Sequence, residues 1–298
     1  MIFDSHCHAW RNWPYDPRVP DPHEKGSVDA LLWEMDENGV DRAAVVCARM
    51  GREAGEASAN DDNNDYVAKA VAAHPDRLMM IADVDGVWSP QEHHKPGAAA
   101  RLRRAVEQYG LAAFTHYVDQ ESDGWFASDE GLEFFKTAAE LGIVASLGMT
   151  PSWQADLRRV ALACPTLPIL VHHQGFARLH VATFDDDFTA VLANSDLPNV
   201  FVKLSGFHYL ARQSWDYPYP EVHERVLRPL VEAYTPLRLL WGSDFSAARP
   251  YVTYRQSLEV VRTHLGGLGD GPMDRILGAN LDELLRTRRV EPTAEAVR

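Results

Sequence analysis

Short apolar runs rich in β-branched residues recur along the chain, and an amphipathic stretch of helical length follows each one. The runs predict strands near 2–8 (IFDSHCH), 42–48 (RAAVVCA), 78–84 (LMMIADV) and 111–117 (LAAFTHY). Four more follow near 143–149 (IVASLGM), 168–173 (PILVHH), 199–205 (NVFVKLS) and 238–244 (RLLWGSD). Several are apolar on both faces, the pattern of parallel strands covered on either side. Between them a period near 3.6 predicts helices over 27–38, 60–74, 97–109, 129–141, 151–163, 185–193, 220–234 and 251–265. Ser27 and Asp129 stand where N-caps belong, and Gly39, Gly110 and Gly142 stand where helices stop before the next strand.

Eight strand–helix alternations predict an α/β chain folded as one closed (β/α)8 TIM barrel, a single domain over 1–298. An open doubly wound sheet is the rival, but no G-x-G-x-x-G follows the first strand and there is no P-loop. Long polar insertions follow strands 1, 3, 4 and 7, over 10–26, 85–96, 119–128 and 207–220. All leave a strand at its C-terminal end, the face on which barrels build their active sites.

Composition narrows the function. With 46% hydrophobic residues in 298, the chain can bury a sizeable core and is neither low-complexity nor disordered. Forty-three acidic against 29 basic residues give a formal charge of −14, a field that repels polyanions, so no nucleic-acid partner is expected. Cys7, Cys47 and Cys164 lie far apart without CxxC spacing, which reads as reduced thiols in a cytoplasmic protein. No apolar run reaches membrane-span length and no signal-peptide pattern opens the chain, so no membrane partner is expected.

The strongest chemical signal is Asp4-Ser5-His6-Cys7-His8 at the end of strand 1. Strand alternation puts Asp4, His6 and His8 on one face and turns Cys7 away. Strand 6 ends in His172-His173; if Ile169 and Val171 point inward, His173 reaches the lumen and His172 turns outward. Asp244 ends strand 8, beside strand 1 and across the mouth from His173, although an aspartate there could also cap the next helix. Three imidazoles and a carboxylate on one rim point to a catalytic site.

These pieces occur in order with HPDRL (74–78), LVHHQG (170–175), NVFVKLSGF (199–207), RLLWGSDF (238–245) and ILGANLDELL (276–285). Together they resemble the amidohydrolase superfamily, in its amidohydrolase 2 branch of TIM-barrel lactonases, hydrolases and decarboxylases. The resemblance implies that His6, His8, His173 and Asp244 ligate one divalent metal, zinc by the donor set, with Asp244 the general base and His173 also catalytic. The superfamily's two-metal members carry a lysine at the end of strand 4 and a histidine at strand 5. Here LAAFTHYVD and IVASLGMTP offer neither, so one metal is expected at most. The mononuclear decarboxylases of the branch usually keep the strand-5 histidine, whereas lactonase-like members resemble this chain in lacking it, and some work without metal. The implied activity is a hydrolase opening a small, carboxylated lactone or related ester. The alternative is non-oxidative decarboxylation of an aromatic or muconate-type acid. Family habit implies a homodimer.

For a small-molecule substrate, the candidate binding residues are Arg49, His116, Tyr117, Ser205, His208 and Arg249, all near strand ends or in the loops beyond. Arg178, Tyr209, Arg212 and Tyr251 share those loops. Arginines there could grip a carboxylate in a bidentate pair, and the alternative for each is a surface ion pair. Lys203 joins these rim cations near the end of strand 7, or by the VKLSG resemblance is a scaffold residue. Trp10, Trp13 and Tyr15 either wall the pocket or staple the first loop. His93-His94 read as a solvated pair in a polar loop, with a bound metal the alternative, and Asp185-Asp186-Asp187 as a helix start.

Overall fold

The structure, a computed structural model, describes residues 1–15, 19–50 and 60–286. The apolar runs form β1 (Phe3–Cys7), β2 (Arg42–Val46), β3 (Leu78–Asp83), β4 (Ala113–Tyr117), β5 (Val144–Gly148), β6 (Ile169–Val171), β7 (Val200–Leu204) and β8 (Leu239–Trp241). They pair in chain order, every pair parallel. Just beyond β8 the chain meets β1 again: Asp244 N donates to His6 O at 2.7 Å, and His8 N donates to Phe245 O. The result is a (β/α)8 TIM barrel.

Helices α1 (Val28–Glu37), α2 (Asn63–Ala73), α3 (Ala98–Tyr109), α4 (Asp129–Glu140), α5 (Gln154–Ala163) and α6 (Phe184–Ala193) follow the first six strands. Then come α7 (Arg228–Tyr234), continuous with a π-turn at His223–Leu227, and α8 (Tyr254–Leu265). The starts follow local chemistry. Ser27 Oγ accepts from Ala30 N at 3.2 Å, and at α4 the cap is Ser128, one residue before the expected Asp129. Thr253 opens α8 with a capping box, so Asp244 is not its cap. Asp185, Asp186 and Asp187 fill the first turn of α6, as their charge favours. A further helix, α9 (Asn280–Arg286), is absent from the predicted alternation.

Each strand has two buried faces. Outward side chains such as Val45, Phe114, Ile169 and Val171 join the helices in the larger core. Inward ones (Phe3, Ala44, Val46, Ile81, Ala113, Val144, Leu170 and Leu240) form an apolar plug, closed by Leu281 and Leu285 of α9. Burying each of the larger of these side chains contributes about 1.5–3 kcal/mol. Because Leu170 points inward, the parity expected for β6 is inverted, with consequences for the two histidines that follow. Cys7 lies in the outer core as expected, its Sγ donating to Ala44 O at 3.5 Å. Among the described residues no helix is long and apolar enough to cross a membrane.

Candidate active site

β1 does not keep strict alternation. Its register against β2 shifts between Asp4 and Cys7. Asp4 therefore does not share a face with His6 and His8; its carboxylate accepts from Ser243 N (2.9 Å), His6 N (3.0 Å) and the Tyr254 hydroxyl of α8 (2.8 Å). It pins the exit of β8 to β1. Burial pushes its pKa up to about 6, and the donors from Ser243, His6 and Tyr254 hold it from rising further.

His6, His8, His173 and Asp244 do meet, above the plug. Asp244 Oδ1 lies 3.7 Å from His6 Nε2, 3.7 Å from His8 Nε2 and 3.8 Å from His173 Nε2. The two β1 rings approach Nε2 to Nε2 at 3.2 Å. His173 arrives by a turn, not by alternation: β6 ends at Val171, and His173, Gln174 and Phe176 take φ of 47°, 53° and 55°. Its Nδ1 lies 2.9 Å from Ser205 Oγ. The next residue, Gly206, has φ +60°, and a Cβ there would stand 2.6 Å from that same Nδ1, so only glycine fits beneath the ring.

The donor set fits a divalent metal. His8 Nδ1 contacts Val46 O at 2.7 Å and must donate, because a carbonyl only accepts; this leaves a lone pair on Nε2. Ser205 Oγ can accept from His173 Nδ1 and leave the same result. Burial drives the His6 and His173 pKa values well below the ordinary one, and lowers His8 to about 4. Facing these neutral rings is a buried carboxylate with no well-formed hydrogen bond to either oxygen, the Tyr209 hydroxyl being the donor nearby. Burial pushes Asp244 well above the usual carboxylate range, and the nearby Tyr209 hydroxyl offsets this only in part. Four donors tetrahedral about one ion at about 2.1 Å lie about 3.4 Å apart. Among His6, His8 and Asp244 the separations are 3.2–3.7 Å, so these three could share one ion; His173 Nε2, 3.8 Å from Asp244 Oδ1, groups instead with His6 and His172.

His172 corrects the expectation drawn from the sequence. It points inward, above Leu170, with its ring centroid 4.4 Å from that of His6 and its Nε2 2.7 Å from Ser146 Oγ. Ser146 also accepts from Lys203 Nζ at 2.8 Å, and Lys203 lies 3.4 Å from His6 Nδ1. Sequence reasoning turned His172 outward and offered Lys203 only as a rim cation or scaffold; with β6 and β7 apolar on both faces, no periodicity signals which of their residues point inward. All of these side chains are buried, and burial brings the Lys203 pKa down to about 7.

A cavity of about 230 Å³ opens onto His8, His173 and Asp244. That is near the small end for ligand sites. Tyr15, Trp88, Tyr117, Met149 and Phe176 give it apolar and aromatic walls, and Arg178 is the one cationic side chain lining it among the described residues. Tyr117 lies over Gly148, where a Cβ would stand 2.3 Å from its ring. Trp10 staples the loop instead, stacked on His8 at 4.8 Å and donating to Ala48 O at 2.9 Å, with Trp13 beside it.

Of the six substrate candidates, only Tyr117 lines this cavity. Arg49 faces another cleft, paired with Asp83 (3.7 Å) and Glu92 (3.3 Å). His116 is on an outward parity and packs against Trp125 and Phe134. Ser205 orients His173. His208 is buried between Tyr209 and Tyr251, and Arg249 bonds Lys25 O and lies over Phe245.

Residues 3–286 match the family model described as Amidohydrolase. Among solved structures, a probable 2-pyrone-4,6-dicarboxylic acid hydrolase from Acinetobacter baumannii with citric acid bound is 18% identical, with a TM-score of 0.72, and the match covers 96% of this chain and 99% of that one. An amidohydrolase from Burkholderia multivorans with bound zinc is 19% identical, TM-score 0.73, over 96% and 99% of the two chains. The 5-carboxyvanillate decarboxylase from Sphingomonas paucimobilis is 16% identical, TM-score 0.65, over 96% and 98%. Comparison with curated proteins gives no match.

Proposed function

The chain belongs to the amidohydrolase family and is a hydrolytic enzyme, and from that premise we propose that it opens a small, carboxylated lactone by attack of water on the ring carbonyl. The observation that carries this reading is Asp244: a buried carboxylate without a well-formed hydrogen bond, facing three imidazoles at the floor of a small aromatic-walled cavity. The ionised carboxylate takes a proton from the water as its oxygen bonds to the carbonyl carbon. The ring C–O bond then breaks, and Asp244 returns the proton to the departing alkoxide, leaving a hydroxy acid. His6, His8 and His173 are the residues that would hold one zinc ion with Asp244. When bound, such an ion supplies Lewis acidity and lowers the pKa of the attacking water.

The chain's other residues position the substrate. Trp88, Tyr117 and Tyr15 suit a flat ring, and Arg178 suits its carboxylate, with which a guanidinium can make two parallel hydrogen bonds. Decarboxylation is the competing reaction. Against it, the inward residue of β5 is Ser146, tied to His172 and Lys203, where the resemblance places a histidine in decarboxylases.

The test is a panel of carboxylated five- and six-membered lactones alongside aromatic carboxylic acids. Acid release without carbon dioxide is the expected result. Carbon dioxide release, or no turnover of any lactone by zinc-loaded enzyme, would overturn it.

A further inference from the structure

A second group of imidazoles stands apart from the mouth. The loop after β3 carries His93 and His94, and β4 carries His116 on its outward face. The sequence reads the loop pair as solvated, yet the His94 side chain is only 10% exposed, its ring flat against Trp125 with centroids 4.2 Å apart. One ligand nitrogen from each of the three rings lies within 4.8 Å of the other two, and His94 and His116 face each other Nε2 to Nε2 at 3.2 Å.

The far edge of every ring is already committed. His93 Nδ1 contacts Asp85 O (2.7 Å), His116 Nδ1 contacts Val84 O (3.0 Å) and His94 Nδ1 contacts the Asp123 carboxylate (2.7 Å). Carbonyls and ionised carboxylates only accept, so each Nδ1 carries its ring's proton and each neutral ring presents a lone pair at Nε2. Two of those lone pairs point at one another, and the third, on the buried His93 Nε2, has no partner. The facing lone pairs of His94 and His116 repel unless a cation sits beside them, and His93, stacked on His94 with centroids 3.7 Å apart, brings a third nitrogen to the same place.

We propose that His93, His94 and His116 form a second metal site, for a transition-metal ion of the zinc class, which clamps the loop over 85–96 to β4. Imidazole suits such ions, and the Asp123–His94 pair is the outer carboxylate that metal-bound histidines commonly carry. The loop it clamps supplies Val87 and Trp88 to the wall of the mouth cavity, so the ion sets the shape of that wall.

Cobalt(II) alone is the probe, titrated into chelator-treated protein, with bound equivalents and visible absorption as readouts. His94→Phe keeps a flat ring against Trp125 while removing the donor; His93→Asn is an independent check, and His8→Ala reports on the mouth. Wild type should bind one equivalent more than His94→Phe or His93→Asn, and the bands lost in those variants should survive in His8→Ala. Asp123→Asn should weaken this ion about 10- to 100-fold. Hydrogen exchange over 85–96 should slow with cobalt in wild type and not in His94→Phe. Equal stoichiometry in wild type and both loop variants, or exchange indifferent to metal, overturns the proposal. If the mouth held no ion, wild type would bind the loop equivalent alone and His94→Phe none, so the two readings fail separately.

Discussion

Asp244→Asn should remove activity while making the metal-free protein more stable. The kinetic side follows from the role assigned to the carboxylate. Loss of a positioned general base costs about 10²- to 10⁴-fold in turnover. At about 1.4 kcal/mol per tenfold, that is about 3–5 kcal/mol of transition-state stabilisation. The stability side follows from the surroundings. The one hydroxyl within reach, Tyr209, can donate to the Asn Oδ1 as to the carboxylate, and the new amide can donate to the lone pair of an imidazole now 3.7–3.8 Å from Oδ1. Relief of one unsatisfied buried acceptor is worth about 1–2 kcal/mol, a rise of a few degrees in Tm for a chain of this size.

The pH dependence gives the sign. Burial raises the Asp244 pKa well above 3.8 in the folded protein. A carboxyl with a raised folded pKa stabilises fully below its unfolded value, and that contribution is lost as pH rises through the folded one. The Tm advantage of Asp244→Asn should therefore be near zero in the ordinary carboxylate range and grow with pH up to the raised value. Turnover by metal-loaded wild type should rise at lower pH than that window, because the base must be ionised to accept a proton and a bound cation favours its ionised form. Calorimetry of chelator-treated protein from pH 4 to 8, with lactone turnover on metal-loaded enzyme, checks both. Activity within threefold of wild type, or a Tm advantage that does not vary with pH, would refute the reasoning.

Two further predictions concern the cavity and its support. Arg178→Gln should raise KM for a carboxylated lactone about 10- to 100-fold, the worth of a charge-assisted hydrogen bond, with kcat within twofold and an uncharged lactone unaffected; steady-state kinetics on the matched pair decides it. Ser205→Ala frees His173 Nδ1 and should weaken zinc at the mouth about 10- to 100-fold, read by competition with a chromophoric chelator.

The alternation of apolar runs and amphipathic stretches carries the barrel, since a strand buried on both faces looks the same from either side. That same symmetry hides which residue points inward. With Ile, Leu and Val all apolar, β6 offers no contrast to set its parity; Leu170 faces the axis and brings His172 with it. His173 reaches the mouth through positive backbone angles that no periodicity encodes. His6 and His8 survive the register shift of β1 because it falls before them on the inward face, whereas Asp4 is displaced by it. The rim candidates fare worst. Arg49 and Arg249 lie near strand ends, but each is satisfied locally, and sequence position says nothing of where a long side chain goes.

The axis of the barrel also argues about what the mouth lacks. From Phe3 to Leu240 the interior is apolar, and directly above it lie His6, His172, Ser146 and Lys203, all buried. Such a layer costs stability, and each member is tied to another: Ser146 bridges His172 and Lys203, and Lys203 reaches His6. Burial keeps the imidazoles of this layer neutral, and Lys203, lowered to about 7, is its one source of positive charge near neutral pH. Neutral rings offer lone pairs, and a lone pair cannot polarise a carbonyl. Arg178 stands among the cavity's lining residues, suited to a substrate carboxylate. For the lactone opening proposed above, a cation held by His6, His8, His173 and Asp244 would supply an electrophile and would bring Asp244 back down into the range where it can act as a base.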